Sequence, residues 1–181
     1  MVSSRVRKMN RAPLFSHGAG RMTEMQASIR PGEVAIDLPT RQDAGLIFIG
    51  RINTPWATSR DCPRQGDREQ GPICRIDIDA PFRPALKDLD RHSHAQVLYW
   101  MHQARRDLVL QSPRSNGEVT GSFAIRSPNR PNPISTSLVE IIEVATDHVL
   151  VRGLDCINGT PLLDLKPERC PEAPRPKVST E

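Results

Sequence analysis

Between Gly121 and Leu138 the chain reads Gly-Ser-Phe-Ala-Ile-Arg126-Ser-Pro-Asn-Arg130-Pro-Asn132-Pro-Ile-Ser135-Thr-Ser137-Leu. Pro128, Pro131 and Pro133 fix φ at three positions and push the residues before them into extended conformations. The stretch is therefore neither helix nor interior sheet. It is a pre-organised hook that presents Arg126, Asn129, Arg130 and Asn132. Guanidinium and amide groups held in this way suit a carboxylate, a phosphate or a base edge. The same residues would also make a proline-stiffened corner whose arginines pair with surface acids, and the hook by itself leaves both readings open.

Other chemistry is thinner. His92, His94 and His102 lie close together, but no carboxylate or cysteine completes a metal set at a recognisable spacing, so capping and hydrogen bonding are the expected roles of His92 and His94 and no metal site is expected. Cys62, Cys74, Cys156 and Cys170 form no C-x-x-C pair and read as reduced thiols. There is no G-x-G-x-x-G after a strand, no Walker loop and no G-x-S-x-G elbow.

The elements that must position the hook are short. Strands are expected at Gly45 to Ile52, Cys74 to Asp79, Ala95 to His102, Asp107 to Gln111, Val119 to Ile125, Ser137 to Val144, His148 to Leu154 and Pro161 to Leu165, with a short helix within Pro81 to Asp90. Turn chemistry separates them at Ser115-Asn116-Gly117, Thr146-Asp147 and Asn158-Gly159. Seventeen prolines and eleven glycines disfavour long helices, and no strand–helix–strand periodicity points to a doubly wound nucleotide fold. The expectation is an all-β protein, a small closed β-barrel with a short peripheral helix and extended termini. The turn-rich stretch from Thr54 to Pro72 is long for a loop inside a compact domain, and such loops are usually functional.

At 181 residues the chain suits one domain with tails. The boundaries read 1–40 as a basic extension, disordered or arm-like, 41–168 as the barrel domain and 169–181 as a Pro-rich tail. Residues 1–30 hold Arg5, Arg7, Lys8, Arg11, Arg21 and Arg30 against Glu24, a net +5, while the rest has 19 basic and 20 acidic residues, a net −1. The overall charge of +4 is thus a property of the N-terminal segment and says nothing about nucleic-acid binding by the body. That segment lacks the apolar core of a secretory signal and reads as a transit peptide, a basic arm or an over-extended start ahead of Met22 or Met25, the arm or the extension being favoured over targeting. No apolar run approaches the length of a membrane-spanning helix.

With these motifs in view, the chain resembles the TsaA/TrmO (YaeB-like) family of S-adenosylmethionine-dependent tRNA N6-adenine methyltransferases. The family's R-S-P-x-R-P-N-P-I string is similar to Arg126 to Ile134, and its D-x-x-x-G-T-P-x-x-D-x-K-P string to Asp155 to Pro167. Its P-R-Q loop is similar to Pro63-Arg64-Gln65, its F-S-H-x-W-x-L-x-x-F-H-Q string to His92-Ser-His94 through Trp100-Met101-His102-Gln103, and its I-G-x-I/V-x-S/T-P opening to Ile49 through Pro55. The resemblance runs collinearly over about residues 45–168.

The resemblance implies a cytoplasmic homodimer that binds S-adenosylmethionine on the barrel and methylates N6 of threonylcarbamoyl-adenosine 37 in the anticodon loop of tRNA. Carried over by residue, the cofactor site draws on Arg64, Gln65, His102, Gln103, Arg126, Thr136, Leu154, Asp155, Gly159 and Thr160. Arg126 or Arg64 would take the methionine carboxylate, Asp155 its ammonium, and main-chain groups at Gly159-Thr160 the adenine. Asp164 and Asn132 are the candidates to accept the N6–H, and Arg130 and Lys166 the candidates to hold substrate. Departures fall mainly after Lys166-Pro167, where Glu168 replaces the family's Tyr, with Ser135, Asn158 and the loop Arg60-Asp-Cys62-Pro63, where the family has F-x-x-P, also off pattern. The cofactor motifs are thus better kept than the C-terminal element expected to meet substrate. Two alternatives stand beside this expectation: a methyltransferase for another acceptor, and a non-catalytic module that binds S-adenosylmethionine or RNA.

Overall fold

The computed structural model describes residues 29–39, 43–113 and 118–168. Six antiparallel strands close a barrel in the order β2 (Gly50–Asn53), β3 (Ile73–Ile78), β8 (His148–Arg152), β7 (Ile134–Val144), β4 (His94–Trp100), β9 (Thr160–Pro167) and back to β2. Period-two alternation drives the closure. Cys74, Ile76 and Ile78 of β3, Ala95, Val97 and Tyr99 of β4, and Val149 and Val151 of β8 all point inward and are buried, and Ile52, Val139, Leu154, Cys156 and Leu162 complete the core. Between Leu98 and Tyr99 the register on β9 slips from Asp164 to Leu162, a bulge that turns the following residues of β9 over. Among the described residues no helix is long and apolar enough to cross a membrane.

Antiparallel order gives the barrel two unlike ends. One end, the loop end, carries the connections 54–72, 101–133 and 153–159. The other carries the turn 145–147 and the segment 79–93, with its 3-10 turns at Ala80–Leu86 and Leu89–Arg91. The expected short helix is thus 3-10, opened by Pro81 and broken by Pro84. Beside the loop end lies a small sheet of β1 (Val34–Ala35), β5 (Leu108–Gln111) and β6 (Thr120–Gly121).

Two expectations are corrected. The apolar run from Gly45 does not form a strand until Gly50. Leu46, Ile47 and Phe48 are 55%, 71% and 45% exposed, because β3 and β9 offer ladder partners only from Gly50 onward. The strand expected over Val119 to Ile125 shrinks to two residues and a 3-10 turn, Ser122–Ala124. Here the Ser122 hydroxyl donates to Leu108 O and accepts from Gln111 Nε2, replacing ladder bonds and turning Phe123 outward. The extension expected over 1–40 includes β1, which pairs with β5, so residues 29–39 are tied to the body. Residues 1–28 and the tail 169–181 lie outside the described residues. The remaining strands fall where alternation placed them, within a few residues.

The long loop 54–72 is seated on the barrel by backbone contact. A Cβ at Gly66 would stand 1.8 Å from the carbonyl oxygen of Gly153. Gly66→Ala is therefore expected to force these segments apart and lower the unfolding free energy by about 1–3 kcal/mol in urea denaturation.

Candidate functional site at the loop end

The floor of the loop end is a carboxylate held by two hydroxyls. Tyr99 OH and Ser137 Oγ donate to Asp155 Oδ1 at 2.8 and 2.6 Å, and the two hydroxyls are 2.8 Å apart. Tyr99 ends the buried face of β4, and burial, reinforced by Asp155, keeps its phenol protonated well above the ordinary tyrosine range. Ser137 follows directly on the hook. Its bond to Asp155 joins the hook's strand to the 153–159 turn.

That turn is fastened on every side. Thr54 Oγ1 donates to Cys156 O at 2.8 Å, Thr54 N to Asn158 Oδ1 at 3.1 Å, Asn158 N to Trp56 O at 2.7 Å and Gly159 N to Ile52 O at 2.8 Å. Gly159 has φ +79°, which an L side chain rarely adopts, and the Arg51 guanidinium lies across it, Nη1 donating to Gly159 O at 3.0 Å. Cys62 roofs this region from the long loop; burial first, then Asp155 and Asp61, push its thiol above its usual value.

The hook is braced from the small sheet and the 101–107 segment. The buried Gln111 Nε2 donates to Asn129 O at 2.6 Å, Arg105 N to Asn129 Oδ1 at 3.1 Å, Arg130 N to Arg105 O at 3.0 Å and Arg106 Nε to Pro131 O at 2.7 Å. A cavity of about 390 Å³ opens beside it, lined by Met101, Phe123, Arg126, Arg130, Ile134 and Thr136 among others.

Most of the sequence-predicted site residues gather at this end. Arg64 and Gln65 are exposed on the long loop, and His102 and Gln103 are exposed just after β4. Arg126 is exposed and donates to Thr136 O at 3.2 Å. Arg130 braces the hook through Ile125 O and Ser127 O, both at 3.3 Å. Asn132 is exposed, its Oδ1 3.5 Å from Arg106 Nη2. Leu154 and Thr160 are also here, but their side chains are fully buried and only their main chain is available. The adenine-reading role expected of Gly159-Thr160 narrows too, because both N–H groups already donate, to Ile52 O and Ile157 O.

Asp164 and Lys166 do not join the group. They pair with each other on the barrel wall, and Asp164 lines a separate cavity of about 290 Å³ toward the opposite end, with Phe82, Leu89 and His92. Sequence spacing placed Asp164 nine residues from Asp155, but β9 spans that distance as an extended strand running away from the loop end. Missed from sequence were Tyr99, Ser137, Gln111, Arg51 and Arg106. Tyr99, Ser137 and Gln111 carried a faint signal as polar groups on inward positions of alternating strands; Arg51 and Arg106 carried none. Among the described residues no three His, Cys, Asp or Glu side chains gather as a metal set would require.

The model of the tRNA-methyltransferase O N-terminal domain matches residues 51–169. The chain belongs to this family. A TrmO-type barrel is therefore the frame in which these loops sit, and the family is one of S-adenosylmethionine-binding and methyltransferase proteins. The chain is 50% identical over 141 residues to VirR of Rhizobium radiobacter, named a probable S-adenosyl-L-methionine-binding protein, covering 78% of this chain and 80% of that one. It is 35% identical over 129 residues to the tRNA (adenine(37)-N6)-methyltransferase of Escherichia coli strain K12, covering 66% of this chain and 55% of the enzyme. The crystal structure of TrmO from Pseudomonas aeruginosa superposes with a TM-score of 0.58 at 30% identity, covering 70% of this chain and 56% of that one. The chain thus spans little more than half the length of these two TrmO-type proteins.

Within the TrmO-type barrel the Asp155 junction also has a structural share. Tyr99→Phe removes one of its two hydroxyl donors, and we expect a loss of about 1.5–3 kcal/mol in denaturant titration, the range for a hydrogen bond to a charged group.

Proposed function

We propose that the chain is an S-adenosylmethionine-dependent methyltransferase acting on N6 of threonylcarbamoyl-adenosine 37 in tRNA. The observation that carries this reading is the bond between Ser137 and Asp155, which brings the hook motif and the glycine-turn motif of a methyltransferase family to one end of one barrel. The donor set suits the cofactor. Arg126 and Arg64 supply guanidinium for a carboxylate, and both hydroxyls converge on Oδ1 of Asp155, which leaves Oδ2 for an ammonium. When bound, the cofactor supplies a sulfonium-activated methyl group, so the protein's task is to hold the acceptor nitrogen in line with it.

The chain's residues serve that task by position. The proline-braced hook fixes Arg126 and Asn132 without an ordering cost at binding. The exposure of Asn132 Oδ1 on the hook supports it as the acceptor of the N6–H that orients the nitrogen lone pair, in preference to Asp164, which pairs with Lys166 beside the cavity toward the opposite end. Arg130 acts through the hook it braces, and Lys166, paired with Asp164, is left to contact RNA only from the outer wall.

A second copy of the chain completes the proposal. Val34, Leu110, Val119 and Phe123 are exposed on and next to the small sheet and on the adjoining turn, with Ile134 of β7 beside Phe123, an apolar face of the kind that marks an interface. Phe123, at 84% exposure, is its most prominent member. Phe123→Asp is expected to convert a dimer to a monomer in light scattering; a wild-type monomer, or an unaltered dimer in the variant, rejects this face.

The name of the VirR relative favours one competing reading, binding without turnover. Two measurements separate them. Calorimetry should show S-adenosylmethionine binding that Arg126→Ala weakens by about 1.5–3 kcal/mol, as for a hydrogen bond to a charged group. Mass spectrometry of nucleosides from tRNA incubated with the protein and cofactor should show methylated threonylcarbamoyl-adenosine. Binding with unchanged nucleosides selects the non-catalytic module.

A further inference from the structure

Four arginines at the loop end are positioned by uncharged oxygens. Arg51 donates to Gly159 O, Arg106 to Pro131 O and Asn132 Oδ1, Arg126 to Thr136 O, and Arg130 to Ile125 O and Ser127 O. Among the described residues none of the four has a carboxylate within ion-pair distance. On the barrel wall and at the far end the pattern reverses: Arg75 pairs with Asp77 and Asp147, Arg91 with Asp88, Arg152 with Glu140 and Lys166 with Asp164. The division is not complete, since Arg105 at the loop end pairs with Asp107 and Arg83 at the far end donates to Ile78 O, but these four loop-end guanidiniums keep their charge open.

Two of the four are not marked by the motifs: Arg106 lies outside them, and Arg51 fills an unspecified position of the string Ile49 to Pro55. The barrel register nevertheless sets them in one row. Arg51 is opposite Pro161 on β9. Leu162 is opposite Tyr99 on β4, so the outward neighbour of Pro161 on that side is Trp100. The Arg106 guanidinium lies over the Trp100 ring, 5.4 Å from its centroid. The outer rim thus reads Arg51, Pro161, Trp100, Arg106 and then the hook. His102 flanks Arg51, whose charge adds to burial in disfavouring a protonated imidazole there. Arg51 is on β2 and Trp100 on β4, with β9 between them, so the two strands are about 9.5 Å apart, and Arg106 reaches the far one from the 101–133 connection by lying over Trp100. One carboxylate does not span that distance; successive phosphates along a strand do, and a Trp ring and guanidinium planes between them offer stacking surfaces.

We propose that Arg51 and Arg106 are phosphate-contacting residues of the RNA acceptor, forming with Trp100 a rim track that leads the strand to the hook. This rests on the tRNA reading above. The test is the salt dependence of tRNA binding by the wild type, Arg51→Ala, Arg51→Lys and the double variant Arg51→Ala/Arg106→Ala, with S-adenosylmethionine calorimetry on each. A phosphate contact contributes about 0.7 to the slope of log K against log salt on single strands. Arg51→Ala should flatten the slope by about 0.7 and the double variant by about 1.4, since each removes a contact of that size. Arg51→Lys should restore the slope, and the KM for tRNA should rise in Arg51→Ala and further in the double variant. A wild type that neither binds nor methylates tRNA overturns both the functional reading and this inference. A wild type that methylates tRNA while Arg51→Ala keeps the full slope overturns this inference alone. Loss of cofactor affinity in Arg51→Ala, with the slope intact, moves Arg51 into the cofactor site and also overturns it.

Discussion

One carboxylate organises the loop end. Asp155 is half-buried, and a carboxylate taken out of water is costly unless donors replace the lost hydration. Tyr99 and Ser137 provide them, and each comes from a different strand of the barrel wall. The requirement to satisfy Asp155 therefore fixes the 153–159 turn against β4 and against the strand that begins at the hook. Everything above that floor inherits its placement: the long loop rests on Gly153 through Gly66, and the Thr54–Asn158 bonds close the seam between β2 and the turn.

Rigidity in the hook has a different source. Its prolines limit the backbone locally, but they do not say where the hook sits. That is decided by Gln111, whose amide bridges Ser122 and Asn129 from within the small sheet, and by Arg105 and Arg106 reaching across from the segment after β4. The small sheet is thus more than an appendage. It holds the hook and exposes an apolar face that runs through Phe123 and Ile134 into the cavity beside the hook, so an event on that face is adjacent to the site.

The distribution of charge follows the same division of labour. Arginines that stabilise the wall are matched with carboxylates, as a solvent-facing surface tolerates cheaply. Arg51, Arg106, Arg126 and Arg130 at the loop end are aimed by main-chain and amide oxygens, which set direction without cancelling charge, while Arg105 among them is paired with Asp107. A near-neutral body can in this way present a locally cationic rim, and net charge is a poor guide to it.

The sequence by itself determined the barrel class, most of the strands and the composition of the two principal motifs, because period-two alternation and proline restriction act over a few residues and are written locally. It also placed the family, through strings such as Arg126 to Ile134. It misread Leu46 to Phe48 as strand, because apolar character is local while a ladder partner is not. It grouped Asp164 with Asp155, because proximity along the chain hides that an extended strand separates them. Only the tertiary structure decided which end each loop occupies, that Tyr99 and Ser137 meet Asp155, and that Arg51 shares a rim with Arg106. Those facts follow from the register of six antiparallel strands and the bulge at β9, and register is a property of pairs of distant segments.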